Sequence, residues 1–193
     1  AGDAAPRRAL EAMIQRLESG DTTSLADNRS RPTLFGNRMF WRSDYMVHRR
    51  PTWMISVKML SDRMFNAELV NDEGKKSHHL SEGATWIYRT GNEYRDIFPA
   101  LDWRKIPGTT AEQFDLVADS KQIHFKGGSG FVGGVSDGVY GMAFMDQKHR
   151  DLTAHKAWFF FDDEVIALGT SITSTTADDV VTTINQSLLH GDV

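Results

Sequence analysis

The chain has 193 residues, of which 40% are hydrophobic and 25% charged, and its formal net charge is -4. This balance excludes the disordered and membrane-spanning classes, and the acidic excess excludes a global attraction to nucleic acid, so anion binding must come from a local patch. The lack of cysteine excludes a disulfide framework and thiolate chemistry.

The N-terminus has neither an initiator Met nor the basic start and apolar core of a signal peptide, so the chain reads as a mature form or an internal fragment. Pro6 suits a first helical position, and Leu10, Met13, Ile14 and Leu17 follow at i, i+3, i+4 and i+7. With Gly20 as a stop, this spacing predicts one amphipathic helix over 5–19. A single helix cannot bury its own apolar stripe, so it must pack on something else. Residues 21–33 are polar and turn-prone and read as a linker.

Beyond the linker the period changes to two. In Trp53-Met54-Ile55-Ser56-Val57-Lys58-Met59-Leu60, Trp, Ile, Val and Met share one face, as in a half-buried strand. Similar runs occupy 34–41, 44–49, 64–70, 84–89, 121–126, 131–135, 139–146, 155–161, 165–172 and 179–186. Ala157–Phe161 and Val165–Gly169, separated by Asp162-Asp163-Glu164, predict a hairpin. Many short strands at close spacing predict a mainly β chain folded as a large antiparallel sandwich. The glycines between 127 and 134 suggest turns and not a phosphate cradle, because no Gly-x-x-x-x-Gly-Lys motif is present.

The segment from Trp41 to Gly108 holds the candidate site. Glu68 and Asn71 lie where a strand gives way to a turn at Gly74, so both are placed to converge at a loop mouth. The plain alternative is a solvated strand residue followed by a turn former. In His48-Arg49-Arg50 adjacent side chains point to opposite faces, so the three cannot all serve one anion; for at least one of them the structural reading is a cation on an exposed strand or pairing with Asp44. Trp103 lies in a loop before Pro107-Gly108, suited either to stacking on a sugar or to anchoring a core. Trp53, Trp86 and Trp158, within strands, read as core. The neighbours His78 and His79 diverge if the chain is extended, and no metal-ligand spacing accompanies them. Asp162-Asp163-Glu164, at a hairpin tip, reads as structural.

The segments Phe40–Pro51, Leu80–Thr85, Glu93–Thr110 and Trp158–Glu164 follow one another in an order that resembles polysaccharide lyase family 8, the chondroitin AC, hyaluronate and xanthan lyases. The resemblance runs over about 34–186. One departure is Asn71-Asp72-Glu73-Gly74, where the family often has Asn-Gly-Glu-Asn. The resemblance implies a supersandwich segment preceded by one α-helix of an α/α-toroid domain: 1–20 the last toroid helix, 21–33 the linker, and 34–193 the first part of the central β domain.

The resemblance also implies β-elimination on a uronic-acid-containing polysaccharide of chondroitin or hyaluronan type. Glu68 is then the glutamate that the β domain contributes, with Asn71 beside it lining the cleft; Trp103 and Arg49 are assigned to substrate contact from their residue types alone, an indole and a cation. The family's Asn, His, Tyr and Arg belong to the toroid and have no counterpart here, so the fragment alone is expected to be inactive. No cofactor is required, and no metal ligand is assigned. Glu82, Glu93 and Asp96 offer hard oxygens to calcium, with no spacing rule in their favour. The implied partners are the acidic polysaccharide and the missing helical domain, without nucleic acid or membrane, in a secreted or periplasmic location. A non-catalytic carbohydrate-binding β domain using Trp103 and the Arg49/Arg50 region, and a plain structural sandwich, are the competing readings.

Overall fold

A computed structural model describes residues 35–68, 73–116 and 124–189, together with Arg8, Glu11, Ile14 and Gln15. The chain divides into two units, Ala1–Thr33 and Leu34–Val193, and the fold described is that of the second. Apart from those four positions, the expected helix over 5–19 and the linker lie outside the described residues.

The described part is mainly β, in antiparallel sheets. β1 (Gly36–Phe40), β2 (Tyr45–Arg50), β3 (Trp53–Lys58) and β4 (Ala84–Tyr88) form one sheet in that order. β6 (Val132–Ser136), β7 (Gly141–His149), β8 (Leu152–Phe160) and β9 (Val165–Thr173) form a second. β5 (Thr110–Glu112) and β10 (Val180–Thr182) pair as a small third.

Alternation along each strand decides what faces inward. Met46, Ile55 and Val57 from the first sheet meet Ala143, Met145, Trp158 and Phe160 from the second in one buried cluster. The register accounts for the first set, because Met46 pairs with Val57 and His48 with Ile55, so one pleat face of β2 and β3 is buried together. Between the sheets β1 meets β6: Asn37 donates its backbone N–H to the Gly138 carbonyl at 3.0 Å, and the Ser136 hydroxyl donates to the Asn37 carbonyl at 2.8 Å. The approach is close at Gly141, where a Cβ would lie 2.1 Å from Asn37 Oδ1.

The predicted hairpin is β8–β9, with Phe160 paired to Val165. Of the strands predicted at 64–70 and 121–126, residues 69–70 and 121–123 lie outside the described residues, and the described parts show a single bridge between Phe65 and Lys126. The chain is polar and turn-rich around both, and the buried Asn66 side chain takes over the pairing that a longer ladder would provide. Strand β5 was not anticipated. It is three residues long, too short to show a period, and is recognisable only through its partner β10.

Candidate active-site groove

The first sheet has a second face, pointing away from the core. Register places three ranks of side chains on it: Tyr45, Lys58 and Ala84; then Val47, Ser56 and Trp86; then Arg49, Met54 and Tyr88. Its first ranks open into a groove of about 580 Å³ lined by Tyr45, Lys58, Phe65, Glu68, Trp86 and His124. A carboxylate, an ammonium, an imidazole and an indole thus border one concave surface.

Glu68 is exposed at the start of a loop that is pinned just upstream. Buried Asn66 donates from its amide to the His78 carbonyl at 2.9 Å and accepts at Oδ1 from the Phe125 N–H at 3.1 Å. The Asn66 backbone N–H donates to the Phe125 carbonyl at 2.9 Å, and the Ser81 hydroxyl donates to the Asn66 carbonyl. The loop returns to its origin at Gly74, whose φ is +73° and where a Cβ would lie 2.6 Å from the Glu68 carbonyl oxygen. Only a residue without a side chain fits that approach.

On the outer face Trp86 is half-buried, its indole met edge-on by the Tyr94 ring at 4.7 Å and 84°. The Tyr94 hydroxyl donates to Asn185 Oδ1 at 3.1 Å, which fixes that ring in turn. Opposite, His124 stacks on Phe65 with centroids 3.9 Å apart. Lys58 donates to the Met59 carbonyl at 2.8 Å and contacts Met64 Sδ at 3.2 Å. Burial lowers its pKa to about 8, with Asp44 working in the opposite direction.

The other residues singled out by sequence are distributed differently. Asn71 lies outside the described residues. Arg49 shares the outer face with the groove, but two ranks away, about 13 Å along the strands; it lines a separate cleft with Trp53, Tyr88 and Arg89. Trp103 is half-buried against Phe98, at 5.5 Å between centroids, and does not line the groove. The alternation expected of His48-Arg49-Arg50 is present: His48 and Arg50 are buried and Arg49 is exposed. Arg49 is the cation on an exposed strand, but the pairing with Asp44 is not made. Asp44 is taken by Arg63 at 2.7 Å, while Arg50 pairs with Asp162 at 3.1 Å; His48 donates from Nε2 to the Phe161 carbonyl at 2.8 Å and accepts at Nδ1 from the Asn37 amide at 3.3 Å. Trp158 is core and Trp53 packs against the core, as expected, but Trp86 faces outward because it stands opposite Ser56 and not Ile55.

The histidine pair was misread by sequence. Residues 78–80 form a turn, so the His78 and His79 rings lie 4.6 Å apart. Buried Glu82 accepts from His79 Nδ1 and from His149 Nδ1, the latter at 2.8 Å. Burial, with a further contribution from His79, takes the His78 pKa down to about 3. The Glu82 carboxyl is held far below its usual range; burial alone would raise it, and His79 and His149 more than offset that. The hint in the sequence was the i, i+3 spacing of His79 and Glu82 in a turn. The three acids weighed for calcium are engaged apart from one another: Glu82 here, Glu93 by the N–H groups of Arg89, Thr90 and Gly91, and Asp96 by Arg95. Among the described residues no group of three or more His, Asp or Glu side chains is arranged to hold a metal ion.

Known proteins share this architecture. The chondroitinase AC of Pedobacter heparinus is 42% identical over 160 residues, covering 81% of this chain and 23% of that protein. A hyaluronate lyase of Thermasporomyces composti is 35% identical over 156 residues, 78% of this chain and 20% of the relative. A xanthan lyase of Bacillus sp. strain GL1 is 32% identical over 164 residues, 83% and 17%. Among solved structures, a chondroitinase AC lyase studied as oligosaccharide complexes superposes with a TM-score of 0.77 at 41% identity, over 81% of this chain and 23% of that one. The Streptomyces coelicolor A3 chondroitin AC lyase in complex with chondroitin sulphate gives 0.74 at 30% identity, over 88% and 25%. The chain therefore spans a quarter or less of the length of these relatives. A family profile described as polysaccharide lyase family 8, super-sandwich domain, matches residues 35–193, and the chain belongs to that family.

Proposed function

We propose that this chain is the leading part of the β domain of a lyase that cleaves a uronic-acid-containing polysaccharide, of chondroitin or hyaluronan type, by β-elimination. The observation that carries the reading is the Glu68 carboxylate, exposed at the lip of a groove that also presents Lys58 and Trp86. In this reading 1–20 end a helical toroid, 21–33 link it to the β domain, and the toroid supplies the groups that handle protons.

In the reaction a base removes the C5 proton of the uronate. The C4–O bond then breaks, a C4=C5 double bond forms, and the leaving oxygen takes up a proton without participation of water. The C5 proton is weakly acidic, so amide and cationic donors must neutralise the uronate carboxylate as charge develops. Asn71 is assigned to that amide role and Arg49 and Trp103 to flanking sugar units. Glu68 acts on a histidine or arginine from the toroid, orienting it and stabilising its charged form. No cofactor enters this chemistry. The partners are the polysaccharide and the helical domain, with no nucleic acid and no membrane, and the size of the polymer places the protein outside the cytoplasm, secreted or periplasmic.

The test is Glu68→Gln in the complete enzyme, following the absorbance of the unsaturated product. Turnover is expected to fall by about a hundredfold or more with the melting temperature unchanged. Near-parental turnover removes Glu68 from the site. The cleft beside Arg49, with Arg89 and Tyr88, favours a second reading as a sugar-binding domain without catalysis; a complete protein that binds the polysaccharide yet releases no unsaturated product would establish it.

A further inference from the structure

We propose that Lys58 is a substrate-binding residue that receives an anionic substituent, carboxylate or sulfate, of the sugar seated against Trp86. The inference rests on the lyase reading of the Glu68 groove and adds to it the group that reads substrate charge.

Lys58 ends the central strand β3, between Tyr45 on one side and the small, fully buried Ala84 on the other. Position in a paired strand fixes where its stem leaves the sheet, and the register directs it to the outer face with Tyr45. An ammonium has three donors. Two are occupied, by the Met59 carbonyl and Met64 sulfur, and both are neutral acceptors. Among the described residues no carboxylate lies within ion-pair distance of Lys58, since the Asp44 carboxylate is engaged by Arg63 and Ser61. A partly desolvated cation with neutral partners is under-compensated, and its third donor is free for a ligand entering the groove.

The surroundings fit a sugar that carries that anion. The Trp86 indole is held by Tyr94 and presents a flat apolar surface, on which the C–H face of a pyranose can stack while its hydroxyls stay wet. Glu68 and Lys58 line the same groove, so a ring on Trp86 with its anion toward Lys58 keeps a second edge toward Glu68. An anion bound beside the ammonium would favour its charged form, opposing the effect of burial.

The experiment uses the complete enzyme with Lys58→Met, Lys58→Gln, Lys58→Arg and Glu68→Gln. KM and kcat are measured on chondroitin sulfate, chemically desulfated chondroitin and hyaluronan, and each variant's melting temperature is compared with the parent. Of the two neutral variants, the one that melts closer to the parent carries the comparison. Loss of one charge-assisted hydrogen bond is expected to raise KM about tenfold while kcat changes by less than about threefold, and Lys58→Arg recovers most of the loss. A rise confined to the sulfated polymer assigns Lys58 to sulfate; an equal rise on all three assigns it to the carboxylate. An unchanged KM on every substrate, with Glu68→Gln inactive, overturns the role of Lys58 alone. An active Glu68→Gln overturns the lyase reading of the groove itself, whatever Lys58 does.

Discussion

The Asn66 side-chain amide donates to the backbone carbonyl of His78 at 2.9 Å, two residues upstream of Glu68. The contact spans twelve positions and joins the loop that carries the acid to the turn that carries the histidines. Replacing Asn66 by Leu keeps the branched shape but leaves the His78 carbonyl and the Phe125 N–H unpaired in a buried place. A loss of about 2 kcal/mol is expected, measured by the denaturant midpoint. Turnover of the complete enzyme should fall further than the stability loss alone explains, because the Glu68 loop loses its anchor. Parental turnover in a folded Asn66→Leu protein would separate the clamp from the site.

Acid should weaken this domain in two stages. His78 titrates near 6.5 when unfolded but near 3 when folded, so below pH 6.5 the unfolded chain binds the extra proton. Glu82 is depressed from 4.5, so the stability it contributes is complete above about that pH and is lost as the pH falls further. Both signs agree: stability is highest near neutrality, declines from about pH 6.5, and declines more steeply below 4.5. Buried His48, whose pKa burial also lowers, adds to the first stage. Urea midpoints across pH 7 to 4 measure the slope. His78→Gln should remove about 2 kcal/mol of the decline between pH 6.5 and 4.5, and an unaltered slope in that variant contradicts the assignment.

Gly108 should not tolerate a methyl group. Its φ is +81°, and a Cβ would lie 2.4 Å from Thr85 Oγ1 and 2.7 Å from the Gly83 carbonyl oxygen. The same residue offers its carbonyl to the buried Lys156 ammonium. Gly108→Ala is expected to cost about 3 kcal/mol or more, from the left-handed backbone and the clash together. Gly91, also at positive φ but with open space around it, should lose only about 1 kcal/mol on the same change. Thermal melts of the two variants give the comparison.

Arg50 should behave as a structural residue and its neighbour Arg49 should not. Arg50 is 4% exposed, donates to the Val139 carbonyl at 3.0 Å and pairs with Asp162, and lies over the Phe35 and Tyr140 rings. Arg50→Met is expected to destabilise by about 2 kcal/mol through the lost hydrogen bonds and the unpaired partners. Arg49→Met, on the exposed face, should leave the melting temperature within about a degree of the parent, as surface changes usually do. Any effect of Arg49→Met on KM then reports substrate contact and not folding.

The strands were legible where one face is buried and the alternation is long, as in β3 and in the β8–β9 hairpin with its acidic turn. Of the candidate site, the sequence made legible the placement of Glu68 ahead of a turn closed at Gly74. What remained hidden depends on contacts across the fold. Trp86 and Ile87 are equally apolar neighbours, and only the register opposite Ser56 and Ile55 decides which of them faces the groove. Lys58 was visible merely as the polar end of a strand, because its missing carboxylate partner is a property of the surroundings. The grouping of His78, His79 and His149 about Glu82 unites residues up to 71 positions apart and needs a turn where an extended segment was expected.

The turn that steadies the Glu68 loop through Asn66 is also the place where protons are bound least willingly. Acidification therefore acts on the footing of the acidic lip itself and, through buried His48 on the pleat face shared with Ile55, on the interior between the sheets. A mildly acid medium would slacken the lip and the sandwich together, so activity and stability should decline in step.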